Sequence, residues 1–110
     1  MTKKITEKQF EAQVKDLAKI FGWLYYHTWR SIHSPAGFPD CVMVRPPRLI
    51  FAELKSEKGI VSKDQQKWLD ILRRCSFMVS DHLDGAFYQN MPEVYLWCPS
   101  DIERIAETLK

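Results

Sequence analysis

The sequence predicts a single α/β domain with elements in the order α-β-β-β-α-β-α. Three observations carry that prediction. Apolar residues recur at helical spacing near both ends, as Phe10, Val14, Leu17, Ala18 and Phe21 and again as Ile102, Ile105, Ala106 and Leu109. Two β-rich arms, Pro39–Val44 and Leu49–Lys55, flank Arg45-Pro46-Pro47-Arg48, and a proline pair belongs in a turn, not in a ladder. A further β-rich run, Glu93–Cys98, returns just before the last helix. The 110 residues suffice for one hydrophobic core and not for two, so residues 1–110 are expected to be one domain.

The first helix should begin at Thr6. Thr6 and Gln9 form a capping box, Glu7 sits in the first turn, and Gly22 is a natural stop. Trp23–Trp29 reads as the first strand, and its aromatic residues mean a packed strand before they mean a stacking platform. The loop that follows, residues 30–37, is polar and broken by Pro35 and Gly37. After the hairpin, Ser62 caps a helix from Lys63 to about Arg74 whose apolar side is Trp68, Leu69, Leu72 and Cys75. Residues 76–93 are the least legible part. Phe77-Met78-Val79 suggests a short strand and Asp84-Gly85 a turn, and the segment as a whole reads as an insertion. Ser100 and Glu103 suggest a capping box for the final helix.

The hairpin carries the chemistry. If Val44 pairs with Leu49, Phe51 faces Val42 and Glu53 faces Asp40, and period-two alternation puts Asp40, Glu53 and Lys55 on one face. Opposed residues have Cβ atoms roughly 4.5–5.5 Å apart. Two carboxylates at that spacing repel unless a cation lies between them or one holds a proton. The trio therefore reads as a site for a divalent metal with an adjacent amine. Hard cations such as Mg²⁺ or Mn²⁺ take oxygen donors. Against this stands the plainer reading of a strand edge with ordinary charges, in which Lys55 and Glu53 are a surface pair worth little.

Composition excludes several other classes. The formal charge is +2, but residues 45–74 hold eight Lys/Arg against four acids, and residues 75–110 hold two against six. A basic centre around the carboxylates suits a phosphate-rich substrate, although solvated helix faces would give the same pattern. Cys41, Cys75 and Cys98 are odd in number and lack CxxC spacing, which argues against a disulfide framework and for a reducing compartment. Cys41 is expected to be a small buried hydrophobe. His27, His33 and His82 show no zinc-ligand spacing. Met1-Thr2-Lys3-Lys4 leads into an amphipathic helix, so no secretory signal is expected, and no apolar run is long enough to cross a bilayer. The expected location is the cytoplasm.

Gly37-Phe38-Pro39-Asp40 followed by Glu53-Leu54-Lys55 resembles the PD-(D/E)XK nuclease signature. With Ser62, Gln65, Trp68-Leu69 and the terminal Val94-Tyr95-Leu96-Trp97 and Pro99-Ser100-Asp101, it is similar to the VRR-NUC branch, in particular its small stand-alone members in phages and bacteria. The resemblance implies a restriction-endonuclease-like core, a mixed sheet with the hairpin at its centre and helices on its faces. It implies a Mg²⁺- or Mn²⁺-dependent DNA endonuclease leaving 5′-phosphate and 3′-hydroxyl ends, structure-selective on branched DNA or Holliday junctions, and a homodimer. Asp40 and Glu53 would be metal ligands together with the Leu54 carbonyl, and Lys55 would orient the attacking water. Glu7 would complete the acidic pocket, with Glu11 as the alternative one turn on. Gln65 would lie near the site, although a capping box with Ser62 accounts for it equally well. Arg30, His33, Ser34, Lys58 and Lys63 would meet the DNA. The alternative is a non-cleaving nucleic-acid-binding or phage assembly module on the same fold.

Overall fold

The computed structural model describes residues 4–29, 33–75, 77–80, 87–90 and 92–110, with the segments 77–80 and 87–90 described by backbone alone. The first helix, α1 (Glu7–Ile20), starts at the expected capping box: Gln9 N–H donates to Thr6 Oγ1 at 3.0 Å and Thr6 N–H to Gln9 Oε1 at 2.8 Å. It ends at Phe21, and Gly22 adopts φ +78°, the left-handed conformation that glycine takes at least cost. Strands β1 (Leu24–His27), β2 (Cys41–Arg45) and β3 (Arg48–Leu54) follow, then α2 (Lys63–Arg73). Strands β4 (Phe77–Ser80) and β5 (Phe87–Asn90) precede β6 (Glu93–Trp97), a turn of 3₁₀ helix (Pro99–Asp101) and α3 (Ile102–Leu109).

The main sheet has the order β1-β2-β3-β6, so the hairpin is central, as expected. Val44 pairs with Leu49 and Val42 with Phe51, in the register read from the alternation of the two arms. Strand β6 runs parallel to β3, which requires a crossover, and α2 lies within it. Strands β4 and β5 form a separate antiparallel pair inside residues 76–93, interposed between α2 and β6. The layered core keeps the expected order, with this pair added.

One face of the sheet carries the core. Cys41, Met43, Ile50, Ala52 and Leu54 point to it and are buried against Phe10, Val14 and Ala18 of α1 and Ile105 and Leu109 of α3. Residues on the other face form rows across the strands: Leu24, Val44 and Leu49; then Tyr26, Val42, Phe51 and Val94; then Glu53 and Leu96. Asp40 lies one step beyond the Cys41–Ala52 pair, at the end of the last row. Phe38 meets both Phe51 (6.1 Å between ring centroids) and Trp68 (5.0 Å) edge-on, which seats α2 on this second face. Trp68 is thus a packing residue, and its Nε1–H donates to Ala36 O at 3.1 Å.

Three local expectations are corrected. Cys75 lies past the end of α2 and is exposed, leaving Leu69 as the buried residue of that helix. The final helix is not capped by Ser100 and Glu103. Asp101 Oδ2 instead accepts from Cys98 N–H at 2.9 Å, and Ser100 turns its amide and hydroxyl toward the Glu57 carboxylate, the hydroxyl at 3.1 Å. Arg45 and Arg48 belong to the turn end of the sheet, away from the acidic row. Arg45 donates to the carbonyls of Phe21 (2.8 Å), Leu109 (3.0 Å) and Lys110 (3.0 Å), so it caps the C-terminal ends of α1 and α3. Arg48 makes a bidentate pair with Glu93 at 2.7 Å, and both guanidinium groups lie over the Trp23 ring. Their charge stabilises the fold and does not contribute to a basic centre at the carboxylates.

Candidate active site

Asp40 sits just before β2, where β1 and β2 begin to separate. Thr28 N–H donates to Asp40 O at 2.8 Å, and Thr28 Oγ1 donates to Pro39 O at 2.7 Å, so the backbone of the Pro-Asp pair is held from β1. Across the hairpin, Leu54 N–H donates to Asp40 Oδ2 at 2.8 Å. That bond sets the carboxylate beside Glu53, the residue before Leu54.

Glu53 is 1 % exposed. Gln65 Nε2–H donates to its Oε1 at 3.1 Å, and its Oε2 is buried with no hydrogen-bond partner among the described residues. A buried unpaired carboxylate oxygen is costly, and burial pushes the Glu53 pKa up to about 9. The neighbouring Asp40 carboxylate and the negative charge of Glu7 push the same way, and Lys55 opposes them. The two carboxyl groups must share either a proton or a cation.

A cavity of about 380 Å³ opens here, lined by Glu7, Lys8, Glu11, Asp40, Glu53, Leu54, Lys55 and Gln65. The N-terminal turns of α1 and α2 therefore meet the end of the hairpin. All the residues singled out as ligands or catalysts on the sequence line this one space. Gln65 serves two ends at once: its Oε1 accepts from Ser62 N–H at 2.9 Å in a capping box, and its Nε2 holds Glu53. The choice between cap and site residue dissolves, because one amide does both. Glu11 Oε1 lies 2.9 Å from His27 Nδ1, which engages it and leaves Glu7 as the acid on α1 to weigh as a ligand.

Gly37 explains why the loop before Asp40 carries a glycine. It has φ +95°, and a Cβ there would lie 2.5 Å from the Asp64 carbonyl carbon and 2.7 Å from Gln65 N. The loop thus runs against the first turn of α2, directly beside Gln65. Gly37→Ala is expected to cost about 2 kcal/mol, from the strained φ and the clash with backbone that cannot give way. Thermal unfolding should show a fall in Tm of roughly 10 °C; an unchanged Tm would mean that the close approach is not tight.

His33 and Ser34 are exposed in the loop that leads to Pro39, Lys58 is exposed after β3, and Lys63 is exposed at the first position of α2. Arg30 and His82 lie outside the described residues. Lys8 escaped the sequence reading. Its signal is a cation in the first turn of a helix, where the macrodipole disfavours it.

Among the described residues no three His, Cys, Asp or Glu side chains form a group that could hold a metal by themselves. Asp40, Glu53 and Leu54 line the same cavity, and two carboxylates with a backbone carbonyl would suit a hard ion that keeps several waters. The orphaned Glu53 Oε2 is what such an ion would satisfy. No helix among the described residues is long and apolar enough to cross a membrane.

A family model for the VRR-NUC domain matches residues 7–82, from the start of α1 into the segment between β4 and β5. VRR-NUC domains belong to the PD-(D/E)XK nuclease superfamily, and the four-stranded mixed sheet with helices on both faces agrees with a restriction-endonuclease-like fold. No curated protein and no solved structure matches the chain.

Proposed function

Because the chain belongs to the VRR-NUC family, whose function is of the nuclease type and whose partner is nucleic acid, we propose that it is a metal-dependent DNA endonuclease. The observation that carries this reading is the buried Glu53 carboxylate, one oxygen unpaired among the described residues, lining an open cavity with Asp40 and Lys55. Asp40, Glu53 and the Leu54 carbonyl would hold Mg²⁺ or Mn²⁺, with Glu7 as a further acid on the α1 side. Bound there, the ion would supply Lewis-acid activation of a water and charge stabilisation at phosphorus.

The chain's own residues do the rest. Gln65 fixes one Glu53 oxygen, and the other has no hydrogen-bond partner among the described residues. The Leu54 amide fixes Asp40. Lys55 follows β3 directly, with its amide bonded to Trp97 O at 2.9 Å, so its ammonium projects from a pinned backbone. It orients the attacking water and offsets the charge that develops on the phosphate. His33, Ser34, Lys58 and Lys63, all exposed, would be the contacts for the flanking phosphates.

Branched DNA is the proposed substrate and a symmetric pair the proposed working form. The second sheet face supports the pairing: on edge strand β1, Leu24 is 74 % and Tyr26 61 % exposed, and Leu49 on β3 lies in the Leu24 row beyond Val44. An edge strand with an apolar face is a ready surface for a second copy.

The test is an assay of the purified protein on linear, flap and four-way DNA with Mg²⁺, with Mn²⁺ and with chelator, alongside a solution mass. Cleavage is expected with either metal, none with chelator, and a mass of twice 13.0 kDa. Undiminished cleavage in chelator would remove the metal reading. DNA binding without cleavage under any condition would make the chain a binding module, and a monomeric mass would remove the pairing.

A further inference from the structure

A second concavity begins one residue along the chain from the acidic cavity, where Ser56 follows Lys55. It measures about 740 Å³ and is largely apolar, with Ile5, Pro99 and Ile102 as its floor, Gln13 of α1 on one wall and Lys4 and Lys58 at its rim. The two spaces are joined through the chain. Lys4 and Ile5 come just before Glu7, and Lys58 is three residues after Lys55, within about 10 Å by chain reach. The floor is firm, because Ile5 and Ile102 pack against the main core. The walls are tied together: the Glu57 carboxylate takes both the amide and the hydroxyl of Ser100, which holds the segment after Lys55 against the turn before α3.

We propose that this groove takes an unpaired nucleobase of the strand lying across the acidic site, so that the chain selects nucleic acid with an unstacked nucleotide beside the cut. This rests on the nuclease reading for the position of the strand. An apolar floor gains nothing from a phosphodiester, whereas the faces of a base are apolar and bury well against aliphatic side chains. In an intact duplex those faces are covered by neighbouring bases, so a groove of this kind rewards a single-stranded or displaced nucleotide. The flanking ammonium groups suit the phosphates on either side of that base. Glu57 also lines the groove, but its carboxylate is turned to the Ser100 amide and hydroxyl, and the two ammonium groups outnumber it.

The experiment measures binding in chelator, where nothing is expected to be cut. The probes are a short single-stranded oligodeoxynucleotide containing 2-aminopurine, the same strand with an abasic site in place of that base, and the matching blunt duplex. Gln13 is exposed on α1, so Gln13→Trp fills the groove without removing a core group, and Gln13→Ala is the control. Circular dichroism confirms that each variant folds. The wild type and Gln13→Ala are expected to bind the single strand about tenfold more tightly than either the abasic strand or the duplex, and Gln13→Trp is expected to erase that preference. Lys4→Ala with Lys58→Ala should weaken all three probes and flatten the salt dependence. A preference that survives in folded Gln13→Trp, or equal binding of the abasic strand by the wild type, overturns the groove. Absence of cleavage by the wild type on any DNA, with the preference intact and lost in Gln13→Trp, removes the nuclease reading and leaves the groove standing.

Discussion

Asp40→Asn should abolish cleavage, by at least about 10²–10³-fold, while the protein remains folded. The size of the effect follows from chemistry, since an amide oxygen is a far weaker ligand for a hard divalent cation than a carboxylate. The retained fold follows from geometry. Asp40 Oδ2 accepts one hydrogen bond, from Leu54 N–H at 2.8 Å, and an asparagine oxygen can accept the same bond. The backbone carbonyl that receives Thr28 N–H is untouched. Single-turnover cleavage measured beside thermal unfolding separates the two effects. Wild-type rates in pure Asp40→Asn would refute the assignment of Asp40 as a ligand.

Glu53→Gln should lose activity to a similar degree and yet be no less stable than the parent when metal is absent. In the folded chain burial raises the Glu53 pKa to about 9, above the ordinary carboxylate value near 4.5. Between those values the folded state binds more protons than the unfolded state. The stability from this group is therefore fully present below about pH 4.5 and is lost as pH rises through about 9. The slope in that window is at most about 1.4 kcal/mol per pH unit. A glutamine keeps the volume, offers Oε1 to Gln65 and gives Asp40 an N–H donor, so the slope should disappear. Urea unfolding in chelator from pH 5 to 9 checks it. An equal slope in both proteins would show that Glu53 is not the group responsible. Added Mg²⁺ or Mn²⁺ should raise the Tm of the parent and not of the variant, because ligation stabilises only the state that holds the ligands.

Much of the site was legible because a hairpin register is local arithmetic. Val44 facing Leu49 sets Glu53 opposite Asp40, and the apolar arms leave few other registers that keep Met43, Ile50 and Ala52 inside. The helix starts at Thr6 and Ser62 were legible for the same reason: a capping box spans only four residues. Residues 76–93 resisted because their alternation is weak. A two-stranded pair that belongs to a separate sheet leaves no periodic imprint of the main core. Ser100 misled because Ser-x-x-Glu is the pattern of a cap, and only the distant Glu57 shows that its hydroxyl is already engaged.

By itself the sequence determined which side chains share a strand face and where the helices begin, since both depend on residues a few positions apart. It determined the acidic pair, the neighbouring lysine and the family to which they point. Tertiary structure alone decided that Gln65 reaches Glu53 across 12 residues, that Gly37 lets the loop close on α2, and that Arg45 caps two helices at the far end of the sheet. It also decided that one Glu53 oxygen is buried without a partner among the described residues. The physical reason is that the cost of a buried charge depends on everything packed around it, and those neighbours come from α1, α2 and the hairpin, which meet only when the chain has folded.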